Sequence, residues 1–236
     1  MRVVYEDNHL LAVAKPAGTP TMGAEPGVET VLDHAKAYLR RKYDKPGNVY
    51  LGVVSRLDAP VTGLLLLART SKAASRLTDA FKHRRVEKRY LACVEGEAEP
   101  LEEPLVHYLR KDERNRKMHT THEQADGAQR AELGYRVLHS GPDRSVLEVL
   151  PVTGRKHQIR VQLAKIGLPL WGDKKYGGKI AYKRGIGLHS WRLTLEHPVR
   201  RAPLWLEAAP DAGWGGLEKE FLAHLLAQAD GPRQDP

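Results

Sequence analysis

Cysteine occurs once in the 236 residues, as Cys93. That rules out an intramolecular disulfide and any thiolate-rich zinc site, and it fits a reducing compartment. Long apolar runs are also missing. The longest, Gly63 to Ala68, holds four consecutive leucines, which suits a buried strand and falls far short of the roughly 20 residues a membrane span needs. The opening Met1-Arg2-Val3-Val4-Tyr5-Glu6-Asp7 brings in charge within two residues, with no long apolar region behind it, so it does not read as a secretion signal. A cytoplasmic location is expected. There is no Gly-rich phosphate loop ending in Lys-Ser/Thr, no G-x-S-x-G elbow and no H-E-x-x-H. His119 and His122 stand three apart without acidic or cysteine partners at ligand spacing. Neither a metal nor a cofactor is expected.

What the chain does have is positive charge. Lys and Arg number 38 against 29 Asp and Glu, a formal +9, while the hydrophobic and charged fractions of 41% and 28% are those of an ordinary soluble protein. The excess gathers in Lys82 to Arg89, in Arg110 to Lys117 and in Lys174 to Arg184. One such cluster is no more than a solvated surface. Three of them on a basic chain point to nucleic acid, whose phosphates they would neutralise. Charge alone does not separate DNA from RNA, nor a binder from an enzyme.

Arg2–Tyr5 and His9–Ala14 flank the turn signal Glu6-Asp7-Asn8 and predict a β-hairpin. Val28, Val31, Leu32, Ala35, Tyr38 and Leu39 recur at helical spacing, with Glu29 in the first turn and Arg40-Arg41-Lys42 in the last. Val49–Leu57 and Gly63–Ala68 read as strands around a break at Asp58-Ala59-Pro60. Ser71 is the expected cap of a helix reaching His83. Tyr90–Val94 predicts a strand, 97–130 shows little periodicity, and Tyr135–Leu138 with Val146–Leu150 predicts a second hairpin. A helix is expected over Arg155–Ile166 with Ile159, Leu163 and Ile166 on one side. Two strands near residues 191–196 and 204–206 and a helix near 217–227 complete the chain. The sum is an α+β fold with a mixed or largely antiparallel sheet, as a single domain over 1–228 with a polar tail at 229–236.

Arg56-Leu57-Asp58 ends a predicted strand directly before a proline-containing turn. Aspartate there serves either to bond backbone N–H groups or, in a basic groove, as a nucleophile or base kept ionised by an arginine. Gly154-Arg155-Lys156-His157-Gln158-Ile159-Arg160 offers such arginines near a helix start. Arg155 and Arg160 are five apart and need not share a face, so one can hold phosphate while the other holds Asp58.

Val54-Ser55-Arg56-Leu57-Asp58-Ala59-Pro60-Val61-Thr62-Gly63-Leu64-Leu65-Leu66-Leu67-Ala68 resembles the R-L-D signature of the RluA family of RNA pseudouridine synthases. Four further blocks are similar in order: Tyr5 to Gly18, Lys88 to Gly96 around Tyr90, Thr153 to Leu163 with Gly172-Asp173-Lys174-Lys175-Tyr176-Gly177 behind it, and Leu188-His189 with Glu196-His197-Pro198. The resemblance implies a pseudouridine synthase catalytic fold whose sheet is split by an RNA-binding cleft, and a cofactor-free isomerisation of uridine within ribosomal or transfer RNA. It implies Asp58 as the essential carboxylate, acting at C1′ as nucleophile or at C2′ as base, with Arg160 as its ionic partner and Tyr90 stacked on the uracil. Arg56 would fill the space of a flipped base and Leu188 would floor it. Lys88, Arg155, Lys156 and His157 would hold RNA, and the protein would act as a monomer. Ser55, Ala59 and Val61-Thr62 depart from the family's usual His, Arg and Thr-Ser, and the first two bear on target choice. With the first block starting near residue 3, recognition is expected from the catalytic domain alone, without a preceding RNA-binding domain. Two competitors are a catalytically silent RNA-binding module and a metal-free RNA hydrolase using His157 with Lys156 or Arg155.

Overall fold

The computed structural model describes residues 1–44, 46–115 and 117–229. The expected tail beyond residue 229 and Arg116 of the second basic cluster lie outside the described residues. Elements run β1 (Arg2–Glu6), β2 (Leu10–Lys15), α1 (Val31–Lys42), β3 (Gly52–Val53), β4 (Thr62–Ala68), α2 (Ser71–Lys82), β5 (Glu87–Glu95), β6 (Leu105–Asp112) and β7 (Lys117–Thr121). They continue with β8 (Gln129–His139), β9 (Arg144–Pro151), α3 (Gln158–Lys165), β10 (Leu188–Glu196), β11 (Pro203–Glu207) and α4 (Lys219–Ala229). Two compact units result. The first joins Met1–Lys88 to His189–Ala209, and the second joins Arg89–Leu188 to the described residues 210–229.

The first unit is a mixed sheet with helices. β1 and β2 form the predicted hairpin, turned by Asp7, whose carboxylate accepts from the backbone N–H groups of His9 (2.8 Å) and Leu10 (2.7 Å). β2 pairs antiparallel with β4 from Leu10↔Ala68 to Lys15↔Gly63, β4 pairs parallel with β10, and β11 returns antiparallel on β10. Alternation along β2 and β4 explains the leucine run. Leu10, Ala12, Leu64 and Leu66 pack with Ala73 and Leu77 of α2, while Leu11, Val13, Leu65 and Leu67 pack with Val31, Ala35 and Leu39 of α1. Both faces of these strands are covered, so apart from Lys15 and Thr62 at their ends every position is apolar or glycine. Each fully buried leucine is worth about 1.5–3 kcal/mol.

A polar latch closes one edge of this unit. Glu6, its side chain 8% exposed, accepts from Tyr43 (2.6 Å), Lys42 (2.7 Å), Tyr38 (2.8 Å) and Arg69 (3.1 Å). Burial alone would raise its carboxyl, but the hydrogen bonds from Lys42, Tyr43 and Tyr38 outweigh it and bring the pKa from 4.5 to about 2. A carboxyl lowered in the folded state adds stability that is fully present above its ordinary pKa and disappears as pH falls through the folded value. Glu6→Gln should therefore flatten the loss of stability between pH 4.5 and about 2. Urea unfolding across that range reads this directly, and an unchanged slope would refute the role.

The second unit is an antiparallel sheet in the order β5-β9-β8-β6-β7. Leu109, Met118, Ala131 and Val161 form a core between its far strands and α3. Glu148 is 2% exposed and satisfied by Arg89 (3.1 Å) and Arg136 (2.8 Å). Burial pushes the Cys93 thiol up to about 12, which makes it a core residue with no thiolate chemistry.

The α+β class is borne out; several boundaries are not. α1 begins at Val31, because Thr30 and Asp33 form a capping box, and Val28 and Glu29 lie outside it. Thr70, not Ser71, caps α2 through Ala73 N (3.2 Å). The strand expected over Val49–Leu57 shrinks to Gly52–Val53, since both backbone groups of Leu57 are used by the Thr21 hydroxyl rather than by a ladder. α3 starts at Gln158, not Arg155, because His157 sits in the left-handed region at φ 54°. Ile166 falls past the end of α3 and is exposed. Residues 97–130 contain β6, β7 and the start of β8.

Candidate active site

Asp58 and Arg56 lie in the first unit. Asp58 is half-buried and Arg56 exposed. The Asp58 carbonyl accepts from Val61 N (3.0 Å), closing the predicted turn. On one side of it, Leu57 donates to the Thr21 hydroxyl (3.1 Å) and accepts from it (2.8 Å). On the other, the Ala59 carbonyl accepts from Gly18 N (2.8 Å) and from Lys15 Nζ (2.9 Å). The carboxylate thus projects from backbone pinned on both sides, the kind of pre-organisation a reacting group requires.

Lys15 was not picked out from the sequence, although a lone cation ending an apolar strand was the visible signal. It is 2% exposed and spends its three donors on the carbonyls of Pro16 (2.8 Å), Thr19 (2.8 Å) and Ala59 (2.9 Å). Burial pushes its ammonium down to about 8, and the Asp58 carboxylate pulls it the other way. A cation therefore faces Asp58 within its own unit.

Four residues beyond Asp58, β4 meets β10 in the register His189↔Thr62 and Ser190↔Gly63. Gly63 has φ +108°, and a Cβ there would stand 2.2 Å from the Ser190 carbonyl oxygen. His189 is buried, donating through Nε2 to the Ala208 carbonyl (2.7 Å), with its Nδ1 hydrogen-bonded to the Thr62 hydroxyl (2.8 Å). Lys88, the last residue of the first unit in this part of the chain, is half-buried, and its ammonium is lowered by burial and then by Arg84.

The second unit holds Tyr90, Arg155, Lys156, His157, Arg160 and Leu188. Tyr90 is half-buried on β5 opposite Val149, and Leu188 is 4% exposed at the start of β10. Arg155 and Lys156 are exposed, and the Arg155 guanidinium donates to the Arg130 carbonyl (3.1 Å). Gln158 organises the turn before α3. Its side-chain oxygen accepts from Arg155 N (2.9 Å) and the Thr153 hydroxyl (2.7 Å), and its amide donates to the Glu132 carbonyl (2.9 Å).

Arg160 is 5% exposed rather than a surface arginine. Asp173, itself 2% exposed, holds it side-on, with Nε to Oδ2 at 2.7 Å and Nη2 to Oδ1 at 2.8 Å. The Tyr176 ring lies against the guanidinium at 4.9 Å from its centroid. Among the described residues no cluster of three or more His, Cys, Asp or Glu could hold a metal, and no helix is long and apolar enough to cross a membrane.

Comparison with known proteins bears on what this arrangement serves. The model of the RNA pseudouridylate synthase family matches residues 9–165, a span that includes Asp58, Tyr90 and Arg160. The chain belongs to that family. Ribosomal large subunit pseudouridine synthase C of Rickettsia typhi is 32% identical over 87% of this chain and 67% of its own length. tRNA pseudouridine synthase C of Pectobacterium carotovorum is 30% identical over 94% of this chain and 62% of its own. The chain thus spans about two thirds of these curated relatives. Among solved structures, human RNA pseudouridylate synthase domain containing 1 matches with a TM-score of 0.71 at 26% identity, over 89% of this chain and 83% of that one. The expected family and its fold are both borne out.

Proposed function

We propose that this pseudouridylate synthase family member isomerises uridine to pseudouridine at defined positions of ribosomal or transfer RNA, using both units as one catalytic domain. The observation that carries the reading is the half-buried Asp58 on a turn pinned at Leu57 and Ala59, inside the span matched by the family. The N1–C1′ bond breaks, the uracil turns, C5–C1′ forms, the C5 proton leaves and N1 takes up a proton, so composition and charge are unchanged. No redox change or hydrolysis occurs, so the reaction requires no cofactor or metal. Asp58 acts at C1′ as nucleophile or at C2′ as base, and Arg160 is its ionic partner. Tyr90 stacks on the uracil, with its hydroxyl beside the departing C5 proton.

A base within folded RNA is out of reach of these groups, so it is flipped out at a cost of a few kcal/mol. Arg56, exposed and therefore able to enter a helix, fills the gap, and Leu188 floors the base. Lys88, Arg155, Lys156 and His157 hold flanking backbone. The protein works as a monomer in the cytoplasm. Mapping pseudouridines by chemical labelling in total RNA from cells with and without the gene tests this, with at least one position expected to disappear. No change in any RNA class would overturn the proposal, and shortened RNA chains after incubation with purified protein would favour the hydrolase instead.

A further inference from the structure

The second unit carries an arrangement that the catalytic reading does not use. The turn from Gly172 to Gly178 wraps tightly around Asp173. A Cβ at Gly172 (φ +75°) would stand 2.7 Å from the Gly185 carbonyl oxygen, and one at Gly178 would stand 2.5 Å from that of Leu170. The Asp173 carbonyl accepts from Tyr176 N and Gly178 N, both at 3.0 Å. These contacts aim the Asp173 carboxylate at one edge of Arg160 while the Tyr176 ring covers one face of the same guanidinium.

The Tyr176 hydroxyl has a second task. It accepts from Met118 N (2.9 Å) and lies 2.6 Å from His157 Nδ1. A phenol has one proton to give. Its oxygen keeps a second lone pair beside that proton, so the hydroxyl either gives its proton to Nδ1 or accepts one from it, and in both cases the His157 ring is held through Nδ1. His157 is half-buried in a left-handed backbone conformation three residues before Arg160, so its ring is fixed by both backbone and hydroxyl.

We propose that Asp173 and Tyr176 are positioning residues: together they set the plane of the Arg160 guanidinium, and Tyr176 also holds the His157 ring through Nδ1. The idea rests on the catalytic reading of Arg160 given above. Asp173 occupies Nε and one Nη2 proton, so the orientation of the remaining edge follows from where Asp173 stands. A displacement of about 1 Å in a catalytic group can cost about 100-fold in rate.

The test compares Asp173→Asn, Tyr176→Phe and Tyr176→Leu with wild type on one mapped RNA, following kcat, KM, the pH profile and the 15N signals of His157, assigned by difference with His157→Gln. Asp173→Asn should lower kcat about 100-fold with KM changed less than about threefold. Tyr176→Phe keeps the ring and should lower kcat only about threefold to tenfold, while removing the hydrogen-bonded Nδ1 signature of His157. Tyr176→Leu should add the loss of the ring. If Asp173→Asn does not fold, the two Tyr176 variants and the 15N signals carry the test. Unchanged His157 signals in Tyr176→Phe, or lowered melting temperatures with wild-type kcat and pH profile, would overturn the proposal. Absence of pseudouridine formation by the wild type would instead overturn the catalytic reading, and the 15N experiment would still judge the His157 half of the inference.

Discussion

Asp58→Asn is expected to lower pseudouridine formation by at least about 1,000-fold, the loss of some 4 kcal/mol of transition-state stabilisation, with RNA affinity within about threefold of wild type. The substitution is nearly isosteric, and the turn should survive it, because the neighbouring anchors run through the backbone of Leu57 and Ala59 to Thr21, Gly18 and Lys15. What it removes is the charge. An amide can neither attack C1′ nor take a proton from C2′, so the result is the same for either mechanism. Phosphate contacts by the exposed Arg155 and Lys156 are untouched. Release of tritium from RNA labelled at uridine C5, measured under single-turnover conditions beside a binding isotherm, separates the two quantities. Activity within tenfold of wild type would remove Asp58 from the chemistry. A secondary effect is expected at Lys15, whose ammonium loses the carboxylate that pulls its pKa upward, so it should titrate below its present value of about 8.

Gly63→Ala should produce the largest loss of stability. Two costs combine: φ of +108° strains any residue with a side chain, and the new Cβ would meet Ser190 O at 2.2 Å and Ser190 N at 2.6 Å. The obstructing atoms are backbone of the neighbouring strand, with no flexible side chain to swing aside. Relief requires separating β4 from β10, which also breaks the Thr62–His189 hydrogen bond. A destabilisation of about 4 kcal/mol or more is expected, lowering Tm by roughly 10 °C in a protein of this size. Gly18→Ala provides the control. It has φ +84° with nothing within 4 Å of the added Cβ, so strain alone remains, about 1–2 kcal/mol. Equal losses in the two variants would show that conformation, not strand spacing, dictates glycine at 63.

The elements legible in the sequence are those whose side chains follow a simple period. The first hairpin, the leucine run of β4 and the α1 stripe from Val31 on read correctly because burial there depends on local spacing. Reading failed where a side chain far along the chain supplies the partner. Thr21 replaces a ladder at Leu57 across 36 residues without a local trace, and Lys15 reaches Ala59 across 44, a partner its position at the end of an apolar strand does not name. α3 failed differently. Gln158, Arg160 and Gln162 are all buried, Gln158 and Arg160 against specific partners and Gln162 through its amide nitrogen on the Leu105 carbonyl, so hydropathy could not show which face is inside. Residues 97–130 were opaque because β6 turns only a few apolar groups such as Leu109 inward, while Arg110 on its other face is exposed opposite His119. Within the candidate site, motif similarity located Asp58, Tyr90 and Arg160. It gave no role to Asp173 or Tyr176, whose contacts with Arg160 emerge only in three dimensions.

The first unit is completed by a strand encoded far downstream of its neighbour. β4 ends at Ala68 and its parallel partner begins at Leu188, so a ribosome must polymerise about 120 further amino acids before the pairing is available. At about 5–20 residues per second this takes roughly 6–24 s. For that interval the edge of β4 at Thr62 and Gly63 lacks the partner it will have in β10, while β3 already covers Leu67 and Ala68, and such an open edge is a template for intermolecular pairing. Newly made polypeptide, more than the finished protein, is therefore where trigger-type chaperones have most to shield.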